Sequence, residues 1–206
     1  MDSSSTRIAA VILAGGRGER LGGVNKAEIV FGGERLIDRA LRVVSGCDPV
    51  LIAVGPTGYV PPNGRAVADL PTDYAGPLAG VAAAIDAFTP DDANWLLSMA
   101  VDTPFFPSDF LARAMPLADD NVDCVLGCFG AQEYPTNAVW RLEAVRALPQ
   151  AVRTGTAPHS LKRLAATLRT VRLDYAELFA EDPFLNANTP QDLENLALRL
   201  SSIKPR

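Results

Sequence analysis

The chain is poor in cysteine, lysine and histidine, and each scarcity excludes something. Three cysteines, Cys47, Cys124 and Cys128, are an odd number and argue against a disulfide framework. With His159 as the only histidine, the sequence holds no serine–histidine–carboxylate or metalloprotease motif, and His159 reads as a surface or capping residue. Net charge is −5, so a general nucleic-acid coat is excluded. No apolar run reaches the ~18 residues of a membrane span. The apolar run 8–14 has no basic region before it, so neither a signal peptide nor an anchor is expected. The expectation is a cytoplasmic protein with no nucleic-acid or membrane partner. Only three of its 19 basic residues are lysines: Lys26, Lys162 and Lys204. Any anionic ligand must therefore be met by a local basic site, and a motif that contains a lysine stands out.

What is present is enough for a core: 206 residues, 48% of them hydrophobic, with 16 glycines and 16 prolines as in a loop-rich α/β protein. Ile8-Ala9-Ala10-Val11-Ile12-Leu13 is continuously apolar and ends in Ala14-Gly15-Gly16. Continuous apolarity, unlike alternation, fits a strand buried on both faces of a parallel sheet. Residues 50–54 and 95–101 read the same way, and 66–68 as a short strand before Asp69. Helical spacing runs over 35–44, and 77–88 is an alanine-rich helix opened by Gly76-Pro77. Ser108 is a plausible N-cap for a helix after Pro107, and 156–166 reads as another helix. Thr189, Pro190 and Asp192 mark the start of a last helix over 189–200. In the second half, 122–128 reads as a strand turning through 129–134 into 135–140, a β-ribbon placed to cover a ligand. The alternation predicts an α/β fold: a Rossmann-like, mostly parallel central sheet with helices on both faces. No linker composition divides the chain, so residues 1–206 are expected to form one domain. In such sheets ligands sit beyond the carboxyl ends of the strands, where 13–16, Asp69 and Asp102 all fall.

The strongest signal is Leu13-Ala14-Gly15-Gly16-Arg17-Gly18-Glu19-Arg20-Leu21-Gly22-Gly23-Val24-Asn25-Lys26. Its glycines let backbone N–H groups approach a phosphate, and Arg20 and Lys26 add cations. Leu21 stands where the dinucleotide fingerprint needs its third glycine, and no glycine precedes Lys26 as in a Walker loop. Asp102, in Val101-Asp102-Thr103-Pro104, is a carboxylate at a strand tip. It can hold Mg²⁺, which commonly takes one or two carboxylates together with substrate phosphates, or it can simply shape the turn.

These landmarks, with Asp69, Tyr74-Ala75-Gly76-Pro77-Leu78-Ala79-Gly80 and Asn186-Ala187-Asn188-Thr189-Pro190, resemble the molybdenum cofactor guanylyltransferases in order and over residues 8 to about 195. The resemblance implies a nucleotidyltransferase that joins GMP from GTP to the phosphate of Mo-molybdopterin, giving molybdopterin guanine dinucleotide and pyrophosphate. It implies that Leu13, Ala14, Gly15 and Gly16 frame the guanine nucleotide and that Lys26 and Arg20 meet its phosphates. By the same resemblance Asp69 binds nucleotide and Asp102 ligates Mg²⁺ and contacts GTP. Asn186 and Asn188 lie on the pterin side. About 8–105 would form the nucleotide half and about 106–200 the pterin half, with transient contact to cofactor-insertion proteins or molybdoenzymes.

The sequence departs from the family at Ala53, where many relatives have asparagine, at Tyr134, where histidine is common before the proline, and at Val101, where cysteine is frequent. The cytidylyltransferase branch, which typically has Ala-Gly at the place of Gly15-Gly16, is the nearest alternative. A sugar- or polyol-phosphate nucleotidyltransferase and a non-catalytic nucleotide-binding regulator are others. The regulator would tolerate loss of Arg20, Lys26 or Asp102, and all three are present. Cys124 and Cys128 read as buried thiols rather than zinc ligands, and Trp95 and Trp140 as core. Lys162, Arg163, Arg169 and Arg172 fit either a pterin-phosphate contact or a solvated face.

Overall fold

The computed structural model describes residues 6–16, 21–55, 59–61, 63–70, 76–89 and 93–202. The strands are β1 (Ile8–Leu13), β2 (Val30–Phe31), β3 (Glu34–Arg35), β4 (Val50–Ala53), β5 (Arg65–Val67), β6 (Trp95–Ala100), β7 (Cys124–Phe129), β8 (Gln132–Arg141) and β9 (Thr170–Asp174). The helices are α1 (Leu36–Val43), α2 (Pro77–Asp86), α3 (Phe110–Ala114), α4 (Leu142–Val145), α5 (Leu148–Arg153), α6 (Leu161–Ala165) and α7 (Pro190–Ser202). Seven strands form one sheet in the order β5-β4-β1-β6-β8-β7-β9. Its pairs are parallel except those made by β8, which runs antiparallel to β6 and β7. The carboxyl ends of β1, β4, β5 and β6 therefore share one edge.

The continuous apolar runs have the expected cause: both faces of β1 are covered. Ala10 and Ile12 join the core beneath α1, α3 and α7 through Leu36, Ile37, Phe110 and Leu196. Ala9 and Val11 join the opposite core beneath α2, α5 and α6 through Leu78, Val81, Val152 and Leu164. Trp140 is fully buried, with its indole N–H donated to Ser98 Oγ at 2.9 Å. Trp95 is buried as well, with the Arg141 guanidinium 4.4 Å from its ring centre.

The structure corrects several local expectations. The ribbon over 124–141 is woven into the central sheet as neighbouring strands, and a second small ribbon, β2–β3, lies beside α1. Ser108 is not an N-cap: α3 begins at Phe110, with Asp109 in the cap position and no side-chain cap bond. The helix expected over 156–166 is only α6, because Ser160 accepts from the Arg163 N–H and starts it there. By contrast α7 is capped as the sequence indicates. Thr189 Oγ1 accepts from the Asp192 N–H at 3.1 Å, and Asp192 Oδ2 accepts from the Thr189 N–H at 2.8 Å. No helix among the described residues is long and apolar enough to cross a membrane.

Candidate functional site

The first loop leaves β1 under tight constraint. The Ala14 N–H donates to Ala53 O at 2.8 Å and the Val101 N–H to Leu13 O at 3.2 Å, so β1 stays tied to both neighbours to its last residue. Beyond that point the loop leans on the turn after β4. A Cβ on Gly15 would lie 2.9 Å from Gly55 Cα, too close for any side chain. On the other face α2 comes equally near: a Cβ on Gly80 would lie 2.9 Å from Leu13 Cδ2 and 3.0 Å from Ala53 Cβ. Gly15, Gly55 and Gly80 thus let two loops and a helix converge at the strand ends. Gly16 is exposed, and the stem of Lys26 passes over it, with Lys26 Cδ 3.6 Å from where a Cβ would be.

Lys26 begins a single 3-10 turn, Lys26–Glu28, because Asn25 caps it: the Asn25 side chain accepts from the Ala27 N–H at 2.9 Å. The cap aims the ammonium at the tip of β6. Lys26 Nζ lies 2.6 Å from Asp102 Oδ2, with the two side chains only 15% and 12% exposed. The same Nζ donates to Asn188 Oδ1. Asp102 and the asparagine loop are further joined by the Ala187 N–H donating to Asp102 O at 2.8 Å and by Thr103 Oγ1 donating to Asn186 Oδ1 at 2.9 Å. Lys26, Asp102, Asn186 and Asn188 therefore form one cluster, so the residues expected on separate substrate sides are joined through Lys26 and Thr103.

The asparagine loop is anchored from behind. Phe184 is fully buried against Phe106, Tyr134 and Tyr175, with ring centres 6.0, 5.2 and 5.3 Å away. The Tyr134 hydroxyl donates to Asp182, and the Arg199 guanidinium donates to Asp182 O at 2.6 Å. Tyr134 thus ties β8 to the loop that carries Asn186 and Asn188.

Asp69 follows β5 on the same edge, half-buried, and burial pushes its carboxyl above the ordinary aspartate range. Arg20 lies outside the described residues, as do Tyr74 and Ala75. Thr103 and Gly55 are contributors that the sequence did not single out. A Thr-Pro pair after a strand-end aspartate, and a glycine ending β4, were the signals at hand.

Among the described residues no three His, Cys, Asp or Glu side chains gather to hold a metal. The donor set at the β6 tip is one carboxylate. That suits Mg²⁺ arriving with phosphate oxygens and waters, and it does not suit a resident ion with an all-protein cage. The other sequence candidates fall elsewhere. Arg169 is committed to Asp123 through two guanidinium contacts of 2.8 and 2.6 Å. Lys162 and Arg172 both approach Glu133, at 3.6 and 3.8 Å. The three cysteines are free and buried, and burial pushes the Cys124 thiol up to about 12.

Residues 10–171 match the family model described as a MobA-like NTP transferase domain. The chain is 34% identical over 212 residues to a protein of Rhodopseudomonas palustris (strain HaA2) named molybdenum cofactor guanylyltransferase, covering 92% of each. It is 35% identical over 198 residues to a protein of the same name from Acidiphilium cryptum (strain JF-5), covering 94% of this chain and 95% of that one. Its fold is similar to the crystal structure of molybdopterin-guanine dinucleotide biosynthesis protein A from Archaeoglobus fulgidus. The TM-score is 0.72 at 22% identity, over 95% of this chain and 100% of the other.

Proposed function

Because the chain belongs to the MobA-like NTP transferase family, we propose that it transfers GMP from GTP to the phosphate of Mo-molybdopterin, releasing pyrophosphate. The observation that carries this reading is the convergence of Lys26, Asp102 and Asn188 at the carboxyl edge of the sheet, beside the loop 13–16.

The nucleophile is a phosphomonoester oxygen, already largely ionised near neutral pH, so the protein need not supply a general base. That oxygen attacks the α-phosphorus, the bond to the β-phosphate bridge breaks, and pyrophosphate leaves with the electron pair. The protein positions the reactants and stabilises charge. Lys26 and Arg20 meet the triphosphate. Asp102 would hold Mg²⁺, which would supply charge neutralisation for the phosphates and the leaving group. The N–H groups of Gly15 and Gly16, which take no part in the sheet ladder, frame the guanine nucleotide together with Leu13 and Ala14, while Asp69 contacts it from the end of β5. Asn186 and Asn188 face the pterin. The chain acts as one domain, with residues of both halves in the same sheet, in the cytoplasm and in transient contact with proteins that receive the cofactor.

Calorimetry with GTP, CTP, ATP and UTP in the presence of Mg²⁺ tests the base assignment. A site that pairs with guanine leaves its own polar groups unpaired against the other bases, so GTP should bind tighter by roughly tenfold or more. Tighter binding of CTP would place the protein in the cytidylyltransferase branch instead.

A further inference from the structure

The Lys26 ammonium takes the carboxylate at the tip of β6. At 2.6 Å from Asp102 Oδ2 and largely shielded from water, it is a compact point charge where a divalent cation would have to bind. A second cation on Asp102 would meet Lys26 at close range with little screening. Asn188 secures the lysine on its other side. A triphosphate offers Lys26 several anionic oxygens in place of one carboxylate and one amide. It is also the main source of further ligands for Mg²⁺.

We propose that Lys26 closes Asp102 to divalent cations until a nucleotide triphosphate draws the lysine away. Metal and nucleotide therefore enter together, and departure of Lys26 releases Asn188 Oδ1 at the same time. This deepens the nucleotidyltransferase reading and rests on it, but not on the choice of base or acceptor. Lys26 acts here as a positioning residue for the metal ligand, in addition to its contact with phosphate.

The first test is Mn²⁺ binding to the full chain without nucleotide, read by electron paramagnetic resonance. The natural protein should bind Mn²⁺ weakly, and Lys26→Met should bind on the order of tenfold tighter, since a nearby positive charge has been removed. Asn188→Ala should lie between them. The double variant Lys26→Met/Asp102→Asn should return to weak binding, placing the gained site at Asp102. Equal affinity in Lys26→Met and the natural protein would overturn the proposal, as would a gain that survives loss of Asp102.

A second measurement needs no variant. With only three lysines in the chain, the lysine ¹³Cε signals are few enough to follow individually. Metal-free tripolyphosphate, which carries no base, should shift the Lys26 signal, while Mg²⁺ alone should not. A shift with Mg²⁺ alone, or none with tripolyphosphate, contradicts the proposal. Preference for a base other than guanine would overturn the guanylyl assignment and leave this result intact.

Discussion

Gly15 and Gly55 meet backbone to backbone: a Cβ added to either would lie 2.9 Å from the Cα of the other. The first glycine of the loop after β1 is therefore required by packing, whatever else it does for a ligand. Gly16 is different, because among the described residues a Cβ there would meet only the flexible stem of Lys26, at 3.6 Å.

The two glycines should separate in a stability measurement. Gly15→Ala forces the loops after β1 and β4 apart and should cost about 1–3 kcal/mol in denaturant unfolding. Gly16→Ala should leave the unfolding midpoint nearly unchanged and act on nucleotide affinity. Equal stability of the two variants would contradict the packing account.

Thr103→Val removes the hydroxyl that donates to Asn186 Oδ1 while keeping the side-chain shape. It should cost about 1 kcal/mol of stability, the net value of one hydrogen bond. Its kinetic effect should fall on the acceptor: a raised KM for molybdopterin with nearly normal GTP affinity. Loss of GTP affinity in its place would break the assignment of Asn186 to the pterin side.

Asp123 predicts an acid limb of stability. The Arg169 guanidinium beside it lowers its carboxyl to about 2 from an ordinary value of 3.8. A lowered folded-state value stabilises the protein above the unfolded value, and that gain is lost as pH falls from 3.8 through about 2. Because Arg169 is 57% exposed, water screens the pair, and the gain is put at about 1–2 kcal/mol. Asp123→Asn should be less stable by that amount at pH 7 and should converge with the natural protein below about pH 2. Unchanged stability at pH 7 would remove the pair from the account.

Asp69 has the opposite sign. Burial raises its carboxyl, so the folded state holds the proton longer and ionisation of Asp69 opposes folding at neutral pH. Asp69→Asn should unfold at or slightly above the natural midpoint at pH 7, and the difference should vanish in acid below the unfolded aspartate value. GTP affinity should fall in the same variant. A destabilised Asp69→Asn that still binds GTP normally would make Asp69 a structural residue.

The parts of the fold legible in the sequence were those with long or sharply punctuated patterns. The runs at β1 and β4 are apolar throughout, and β6 is apolar but for the buried Ser98, because both sheet faces are covered there, and Thr189 with Asp192 announces α7. The helices α4 and α5 span four and six residues, too short for a period to declare itself. The edge strand β9 exposes Arg172 and Asp174 and buries only Leu173, so its sequence reads as a solvated face. In the site, Lys26, Asp102, Asn186 and Asn188 were each visible as residue types in motifs. Their assembly was not: Lys26 and Asn188 are 162 positions apart, and only the fold's return of the asparagine loop to the tip of β6 brings them together.

The central claim is most directly tested by supplying molybdopterin with each nucleoside triphosphate labelled at its α-phosphate and following where the label goes. The account predicts that label from GTP enters a molybdopterin dinucleotide with one pyrophosphate released per transfer, and that Asp102→Asn abolishes the product while remaining folded. Label entering product from CTP in preference to GTP, or full turnover by Asp102→Asn, would contradict it.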